Sequence, residues 1–170
     1  IVAVENEVKE LLWEIKKSFN DSPKIIAVNI EKQQVISTII ELSKNYQATY
    51  SLPKKYLYEP NASLLKSGGF EAVSELFALD KLHQHSHLYT ADEIKDFQGR
   101  RFEITQEIPF QKNDLKKYIQ NQKMNVTTRN FPLKVEDIKK KYKISDGGTL
   151  FAFFTTNLKN EKIVLLCTKI

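Results

Sequence analysis

From residue 100 onward the sequence alternates between the two-residue hydrophobic period of strands and the 3.6-residue period of helices, which leaves few possible folds. The predicted elements follow one another as strand, helix, strand, helix, strand and strand, over residues 102–110, 113–122, 124–130, 135–142, 149–156 and 162–169. A polar turn joins the last two strands into a hairpin. This order predicts a small sandwich in which both helices cover one face of a mixed sheet.

The first hundred residues predict shorter elements of the same mixed kind. Apolar residues at helical spacing predict a helix over residues 6–19, with Asn6 as its cap. Strands are predicted at 1–4, 25–30, 35–42 and 56–59, and two helices at 60–66, with Pro60 in the first turn, and at 70–78. The whole chain is therefore predicted to be α+β or α/β and to consist of small mixed-sheet domains.

Positive charge is concentrated at the C-terminal end of the chain. Residues 100–170 carry 15 basic and seven acidic side chains, whereas residues 1–53 and 54–99 both have a small excess of acidic ones. Such asymmetry is typical of a surface that binds a polyanion, and a lysine-rich solvated surface is the alternative.

Twelve residues of this basic segment are candidates for contact with a nucleic acid. Lysines flank or follow both predicted helices, and Arg129 stands at a strand end where its guanidinium could bind a phosphate. Phe131 could stack on an unpaired base or pack in the core. The full set is Arg100, Arg101, Lys112, Lys116, Lys117, Lys123, Arg129, Phe131, Lys139, Lys140, Lys141 and Lys143. If both helices lie on the same sheet face, their lysines form one positively charged surface.

No arrangement of residues points to catalysis within the chain. The five glycines form no glycine-rich cofactor loop, and no nucleophile has an obvious base partner. On one face of a strand, His83, His85 and His87 could bind zinc or nickel. Histidines in a polar loop usually form hydrogen bonds instead, and no carboxylate or thiol lies at ligand spacing. We therefore predict no catalytic, cofactor-binding or metal-binding residue in this chain.

The single cysteine and the lack of long apolar runs indicate which cellular compartment the chain is expected to occupy. Cys167 has no partner for an internal disulfide, which fits a reducing, cytoplasmic compartment, and its apolar neighbours predict a buried packing residue. No apolar run approaches the roughly 20 residues needed to span a bilayer, so no membrane partner is expected. The strand-like stretch that begins at once with Ile1 is typical of an excised fragment.

Short motifs in the first hundred residues carry a family resemblance. The string YLYEPNASLLKSGGF occupies residues 56–70, KLH and HLYT follow at 81–83 and 87–90, and VENEVKELL spans residues 4–12. Together they resemble the C-terminal region of a family of bacterial class I S-adenosylmethionine-dependent methyltransferases, whose chains end in a ferredoxin-like segment and a THUMP-like domain. The chain departs from that family's pattern at three positions, with Val8 in place of cysteine, Gln98 in place of proline and Asn130 in place of glycine.

The resemblance implies a domain organisation and a function. Residues 1–53 are expected to be the trailing strands and helix of the methyltransferase domain, residues 54–99 a ferredoxin-like segment and residues 100–170 a THUMP-like domain. THUMP domains proper bind RNA in tRNA-modifying enzymes, so the chain is expected to hold RNA, tRNA above all. The S-adenosylmethionine site and the catalytic motif are expected upstream, in a domain that is also this chain's partner. The alternative is a scaffold that docks on that domain or dimerises without touching nucleic acid.

Overall fold

Two separate sheets organise the chain in the computed structural model, which describes all of residues 1–170. A four-stranded sheet lies in a compact unit built from residues 1–49 and 60–79, and a seven-stranded sheet lies mainly in a second unit built from residues 50–59 and 80–170. Both sheets mix parallel and antiparallel pairs. The prediction of an α+β fold of small mixed-sheet domains is thus confirmed.

The first unit pairs its four strands in the order β2-β1-β3-β4. The strands are β1 (Val2–Val4), β2 (Glu7–Glu10), β3 (Lys24–Glu31) and β4 (Gln34–Glu41), and the helices are α1 (Ala62–Ser67) and α2 (Phe70–Phe77). Strand β1 runs antiparallel to β2 but parallel to β3, and β3 and β4 form a hairpin. The two-residue turn of that hairpin places Lys32 and Gln33 at positive φ, which matches the right-handed twist of the strands.

The start of α1 corrects two sequence-based predictions. Pro60 is the last residue of strand β5 (Tyr56–Pro60), not a first-turn residue of the helix. The cap is Asn61, whose side-chain oxygen accepts the Leu64 N–H at 3.0 Å. Asn6, predicted to cap a helix of its own, accepts the Ala62 N–H at 2.7 Å. Both amides therefore satisfy the free donors at the start of the same helix.

The predicted helix over residues 6–19 is wrong. Strand β2 occupies Glu7–Glu10, and residues 11–23 form no regular element. Every side chain from Leu11 to Phe19 is exposed, Trp13 at 88% and Ile15 at 90%. An amphipathic sequence gains most of its helical stability from packing its apolar stripe, and nothing in this chain covers that stripe.

The second unit pairs its strands in the order β6-β7-β5-β8-β11-β10-β9. Its further strands are β6 (Asp80–Lys81), β7 (Tyr89–Ala91), β8 (Gly99–Pro109), β9 (Asn125–Arg129), β10 (Leu150–Thr156) and β11 (Lys162–Lys169), and its helices are α3 (Lys112–Tyr118) and α4 (Val135–Tyr142). The predicted strand–helix–strand–helix–strand–strand order is confirmed, although α3 ends four residues earlier than predicted. No helix of the chain is long and apolar enough to cross a membrane.

Alternating residues of β10 face two different cores. Ala152 and Phe154 belong to a core that also contains Leu115 of α3 and Ile138 of α4. Phe153, between them, belongs to a core on the opposite face of the sheet. Both helices therefore cover the same sheet face, as predicted. The opposite core also contains Cys167, which is fully buried, as its apolar neighbours predicted.

Candidate nucleic-acid interface

Three lysines from α3 and α4 converge on one cavity. Lys112 and Lys116 come from α3, Lys141 comes from α4, and all three are exposed. The cavity measures about 420 Å³, and its other lining residues are Phe110, Leu115, Gln120 and Tyr142. No carboxylate lines it. The cavity therefore offers three cationic groups at the edge of an apolar, aromatic floor.

The helical repeat explains why these lysines meet. Lys112 and Lys116 are four residues apart and so lie on the same face of α3, beside the buried Leu115. In α4 the acidic residues Glu136 and Asp137 occupy the first turn and the lysines occupy the last, as the helix dipole favours. The carboxylates of α4 are therefore kept at the end of the helix opposite to Lys141.

The other lysines of the predicted set do not line the cavity. Lys139 forms a salt bridge with Asp146 at 2.5 Å, and Lys140 and Lys143 are exposed. The Lys117 ammonium lies 4.6 Å from the centre of the Tyr118 ring. Its hydrogen bond with the Tyr118 hydroxyl raises the pKa of Lys117 and lowers the pKa of Tyr118. The side chain of Lys123 lies against Gly147 in the turn that precedes β10.

Two arginines of the predicted set bind a carboxylate of the chain itself. Glu59, at the end of β5, has only 3% of its side chain exposed. Arg100 donates from Nε to Glu59 Oε2 at 2.6 Å, and Arg129 donates from Nη2 to Glu59 Oε1 at 2.7 Å. About a third of each arginine side chain stays exposed. The two guanidinium groups therefore hold fixed positions before any ligand binds, and the three side chains together carry one net positive charge.

The Arg129–Glu59 pair links distant strands of one sheet. Three strands, β8, β11 and β10, separate β5 from β9 in the sheet order. A direct contact between their side chains requires the sheet to curl strongly. The Arg129 Nε and the hydroxyl of Thr155, its cross-strand partner on β10, are both buried without a hydrogen-bond partner. Much of the Arg129 side chain is thus committed to the interior rather than to a ligand.

Arg101 and Phe131 also make contacts within the chain. Arg101 donates from Nη1 to the Lys95 carbonyl oxygen at 3.5 Å. The Phe131 ring packs edge-on against Phe110 and Phe154, with ring centres 4.9 and 5.5 Å apart. Phe131 is only partly buried, but its contacts are those of a core residue, the alternative that the sequence had left open.

The three histidines do not form a common face. Residues 82–86 make turns and bends and residues 87–88 no regular element, in contrast to the strand considered from the sequence. His83 is buried, with Nε2 at 3.0 Å from the Asn160 side-chain oxygen and Nδ1 at 3.0 Å from the Asn130 side-chain nitrogen. Both ring nitrogens therefore bind asparagines. No three metal-binding side chains of the chain come together.

Glu59 and the aromatic floor of the cavity are the features that the sequence did not reveal. No residue near Glu59 in the sequence points to a partner for it, because its two arginines lie 41 and 70 residues away. A charged residue inside the apolar string YLYEP was the available signal, since buried carboxylates usually have a partner. Phe110 lies two residues before Lys112 and Tyr142 directly follows Lys141, but only the packing of both helices on one sheet face brings the two aromatic residues together.

Two segments of the chain are similar to known domain families. Residues 99–169 match a THUMP domain-like family, and residues 56–97 match a ferredoxin-like domain. The crystal structure of a proposed methyltransferase from Porphyromonas gingivalis W83 is similar over 99% of this chain, with 35% sequence identity and a TM-score of 0.85. The chain spans 44% of the length of that protein. A comparison with curated proteins gave no match.

Proposed function

We propose that this chain is the RNA-recognition module of a longer S-adenosylmethionine-dependent RNA methyltransferase, and that tRNA is its RNA. The carboxylate-free cavity between α3 and α4, lined by Lys112, Lys116 and Lys141, carries the proposal. None of the three lysines is in a salt bridge, although the Lys141 ammonium lies 5.5 Å from the centre of the Tyr142 ring. Exposed cations of this kind release counterions when they bind phosphates, and this release is the main source of affinity for nucleic acid. The THUMP-like match and the methyltransferase name of the similar crystal structure support the same function.

The proposal assigns different roles to the cationic residues. The three cavity lysines bind backbone phosphates, and Lys117, Lys123, Lys140 and Lys143 add to the positive potential around them. Arg100 and Arg129, held by Glu59 with about a third of each side chain exposed, help to orient the RNA rather than to supply most of the affinity. Arg101 and Lys139 contribute less, because each already has a partner in the chain.

The rest of the methyltransferase completes the proposed function. Residues 1–53 would form the trailing part of its catalytic domain, residues 54–99 a ferredoxin-like segment and residues 100–170 the RNA-binding domain. No residue of this chain is proposed to hold S-adenosylmethionine or to take part in methyl transfer. The enzyme would act in the cytoplasm, where the single cysteine stays reduced.

Titration with tRNA at several salt concentrations tests the proposal. About four phosphate contacts on single-stranded RNA predict a log–log slope near −3, so affinity should fall steeply between low and moderate salt. A flat dependence, or no binding at low salt, would contradict the proposal.

Two triple variants locate the interface. The variant Lys112→Gln, Lys116→Gln, Lys141→Gln should weaken binding and make the salt slope shallower by about 2. The matched control Lys17→Gln, Lys32→Gln, Lys66→Gln removes the same net charge from exposed lysines outside the cavity. If both triple variants lose the same affinity, net charge rather than the cavity is responsible.

A scaffold that docks on another domain without touching RNA is the second candidate function. The exposed apolar residues of the first unit favour it, since they fit a protein surface and not a nucleic acid. It predicts that the cavity variant leaves methyl transfer by the longer enzyme unchanged.

A further inference from the structure

The four-stranded sheet of the first unit is covered on one face only. Helix α1 packs against β1, β2 and β3 on the face that contains the buried Ala3, Ala27 and Ile40. Gly69 lies so close to Ile40 on this face that a side chain at residue 69 would overlap the isoleucine. Alternation along the strands places every second residue on the opposite face.

That opposite face is apolar across three neighbouring strands. We call it the bare face, and its aliphatic residues are Val2, Val4, Ile26, Val28, Ile30, Val35 and Ile39. The pairing register puts Val2 beside Val28, Ile26 beside Ile39 and Ile30 beside Val35, so the aliphatic residues are contiguous. The polar residues of β3 and β4 on this face are Ser37, beside Val28, and the pair Lys24 and Glu41 at one end. Val35 is 68% exposed, Ile39 49% and Ile26 42%. A soluble protein rarely leaves such a patch uncovered unless another surface packs against it.

The strand pairing indicates what kind of surface covers the bare face. Strands β1 and β3 are parallel, and parallel pairing is typical of sheets that helices cover on both faces, whereas the antiparallel pairs β1–β2 and β3–β4 would also allow one solvated face. Helix α1 supplies the helical layer on one side, and the other layer is missing from this chain. The similar crystal structure has more than half of its length outside the match, which is enough chain to supply such a layer.

We infer that the bare face is an internal interface of a longer polypeptide, covered by helices that lie outside residues 1–170. The identity of these helices rests on the proposed function, in which they belong to the catalytic domain whose trailing part residues 1–53 form, but the existence of the interface does not rest on it. The exposed residues Leu11, Leu12, Trp13, Ile15 and Phe19 add apolar surface to the same unit. The helical spacing of Leu11, Leu12, Ile15 and Phe19 predicts that segment 11–19 becomes helical once the rest of the polypeptide is present.

Thiol labelling in the full-length polypeptide tests the inference. Ile39→Cys places a thiol on the bare face, and Ile94→Cys places one at a similarly exposed isoleucine in a loop of the second unit. The native Cys167 gives little background, because it is fully buried and burial raises the pKa of its thiol. Both substitutions remove only exposed apolar atoms, so both variants should fold.

The expected result is a difference between the two thiols that depends on the rest of the polypeptide. In residues 1–170 alone, Ile39→Cys and Ile94→Cys should react with a maleimide at similar rates. In the full-length polypeptide, Ile39→Cys should react at least about tenfold more slowly, while Ile94→Cys is unchanged. Equal rates in the full-length polypeptide would overturn the inference.

Two other outcomes separate this inference from its alternatives. Protection of Ile39→Cys in residues 1–170 that increases with protein concentration would show that a second copy covers the bare face, and would also overturn the inference. If the full-length polypeptide does not bind tRNA while Ile39→Cys is fully protected, the proposed function is refuted but the interface is not.

Discussion

At the scale of single residues, Glu59 has the largest consequences for structure. Its carboxylate lies within hydrogen-bond distance of two guanidinium groups, and each arginine belongs to a different strand. Burying a carboxylate is costly unless partners compensate for the lost hydration, and here both oxygens have partners. Glu59 therefore positions the two arginines and holds the curled sheet together.

Replacement of Glu59 tests this structural role. Glu59→Gln keeps the shape but leaves two partly buried cations without their counterion, so we expect the free energy of unfolding to fall by about 2–4 kcal/mol. The control Glu103→Gln removes a carboxylate whose salt bridge with Lys55 is about half exposed, and should cost less than about 1 kcal/mol. Denaturant titrations measure both values. Equal losses would show that Glu59 is no more important than a surface acid.

The buried phenol of Tyr58 predicts a stability change in alkaline solution. Its hydroxyl donates to the Glu93 carbonyl oxygen and accepts the Lys95 N–H, both at 2.9 Å, and burial raises the pKa of Tyr58. In the unfolded chain a tyrosine loses its proton near pH 10, so the unfolded state binds fewer protons above that pH. The ionisation of Tyr58 should therefore leave the free energy of unfolding unchanged below about pH 10 and should lower it above that pH.

Comparison of two proteins isolates this contribution. Between pH 9 and pH 11.5 the wild type should lose stability more steeply than Tyr58→Phe, by at most about 1.4 kcal/mol per pH unit. Parallel curves from denaturant titrations would mean that the Tyr58 phenol ionises equally in both states. The Phe variant should be less stable at neutral pH, because it leaves the Glu93 and Lys95 backbone groups without their partner.

At the scale of elements, helix α1 depends on its caps more than on its length. It has only six residues, too few to be stable by propensity, and two asparagine side chains bind its first N–H groups. Asn61→Ala should lower the free energy of unfolding by about 1–2 kcal/mol, since the Leu64 N–H then loses its acceptor in a buried site. Asn61→Asp preserves the acceptor and should lose less. Equal losses in thermal unfolding would exclude capping as the cause.

The elements that could be predicted from the sequence are those whose causes are local. Helix α4 occurs exactly over the predicted residues 135–142, because acidic residues begin it, lysines end it and an apolar stripe repeats between them. The hairpin of β10 and β11 likewise follows from two apolar strands around a polar turn. Residues 6–19 have an equally good helical pattern but form no helix, because nothing in the chain packs against their apolar stripe. Periodicity alone cannot supply the partner.

The candidate site was predictable to the same extent. The lysine content of α3 and α4 and their common sheet face follow from local patterns, so the convergence of Lys112, Lys116 and Lys141 could be anticipated. The ion pairs of Arg100 and Arg129 could not, because Glu59 is distant in sequence and is brought near only by the curl of the sheet. Lys139 differs from the neighbouring lysines in its salt bridge with Asp146, which lies in the loop that follows α4.

At the scale of the whole molecule, the THUMP-like match and the physical unit do not coincide. The match covers residues 99–169, but the core on the sheet face opposite the helices includes Leu57, Leu82 and Leu88. These leucines pack with Phe102 and Phe153, which lie inside the match. One sheet face of the THUMP-like domain is therefore covered by residues of the ferredoxin-like segment, and the two should unfold together.

Two leucines on opposite faces of the seven-stranded sheet test this cooperation. Leu82 is fully buried in the core shared with the ferredoxin-like segment, and Leu115 of α3 is equally buried in the core on the other sheet face. Leu82→Ala and Leu115→Ala should each lower the free energy of unfolding by about 2–5 kcal/mol. Both should accelerate hydrogen exchange of the β10 and β11 amides, which reports on a single unfolding transition. If Leu82→Ala leaves the exchange of these amides unchanged while Leu115→Ala accelerates it, the THUMP-like domain is stable on its own. The surface proposed to bind RNA would then be independent of residues 54–98. We expect the opposite, because those strands lie between the two cores and lose cover when either is damaged.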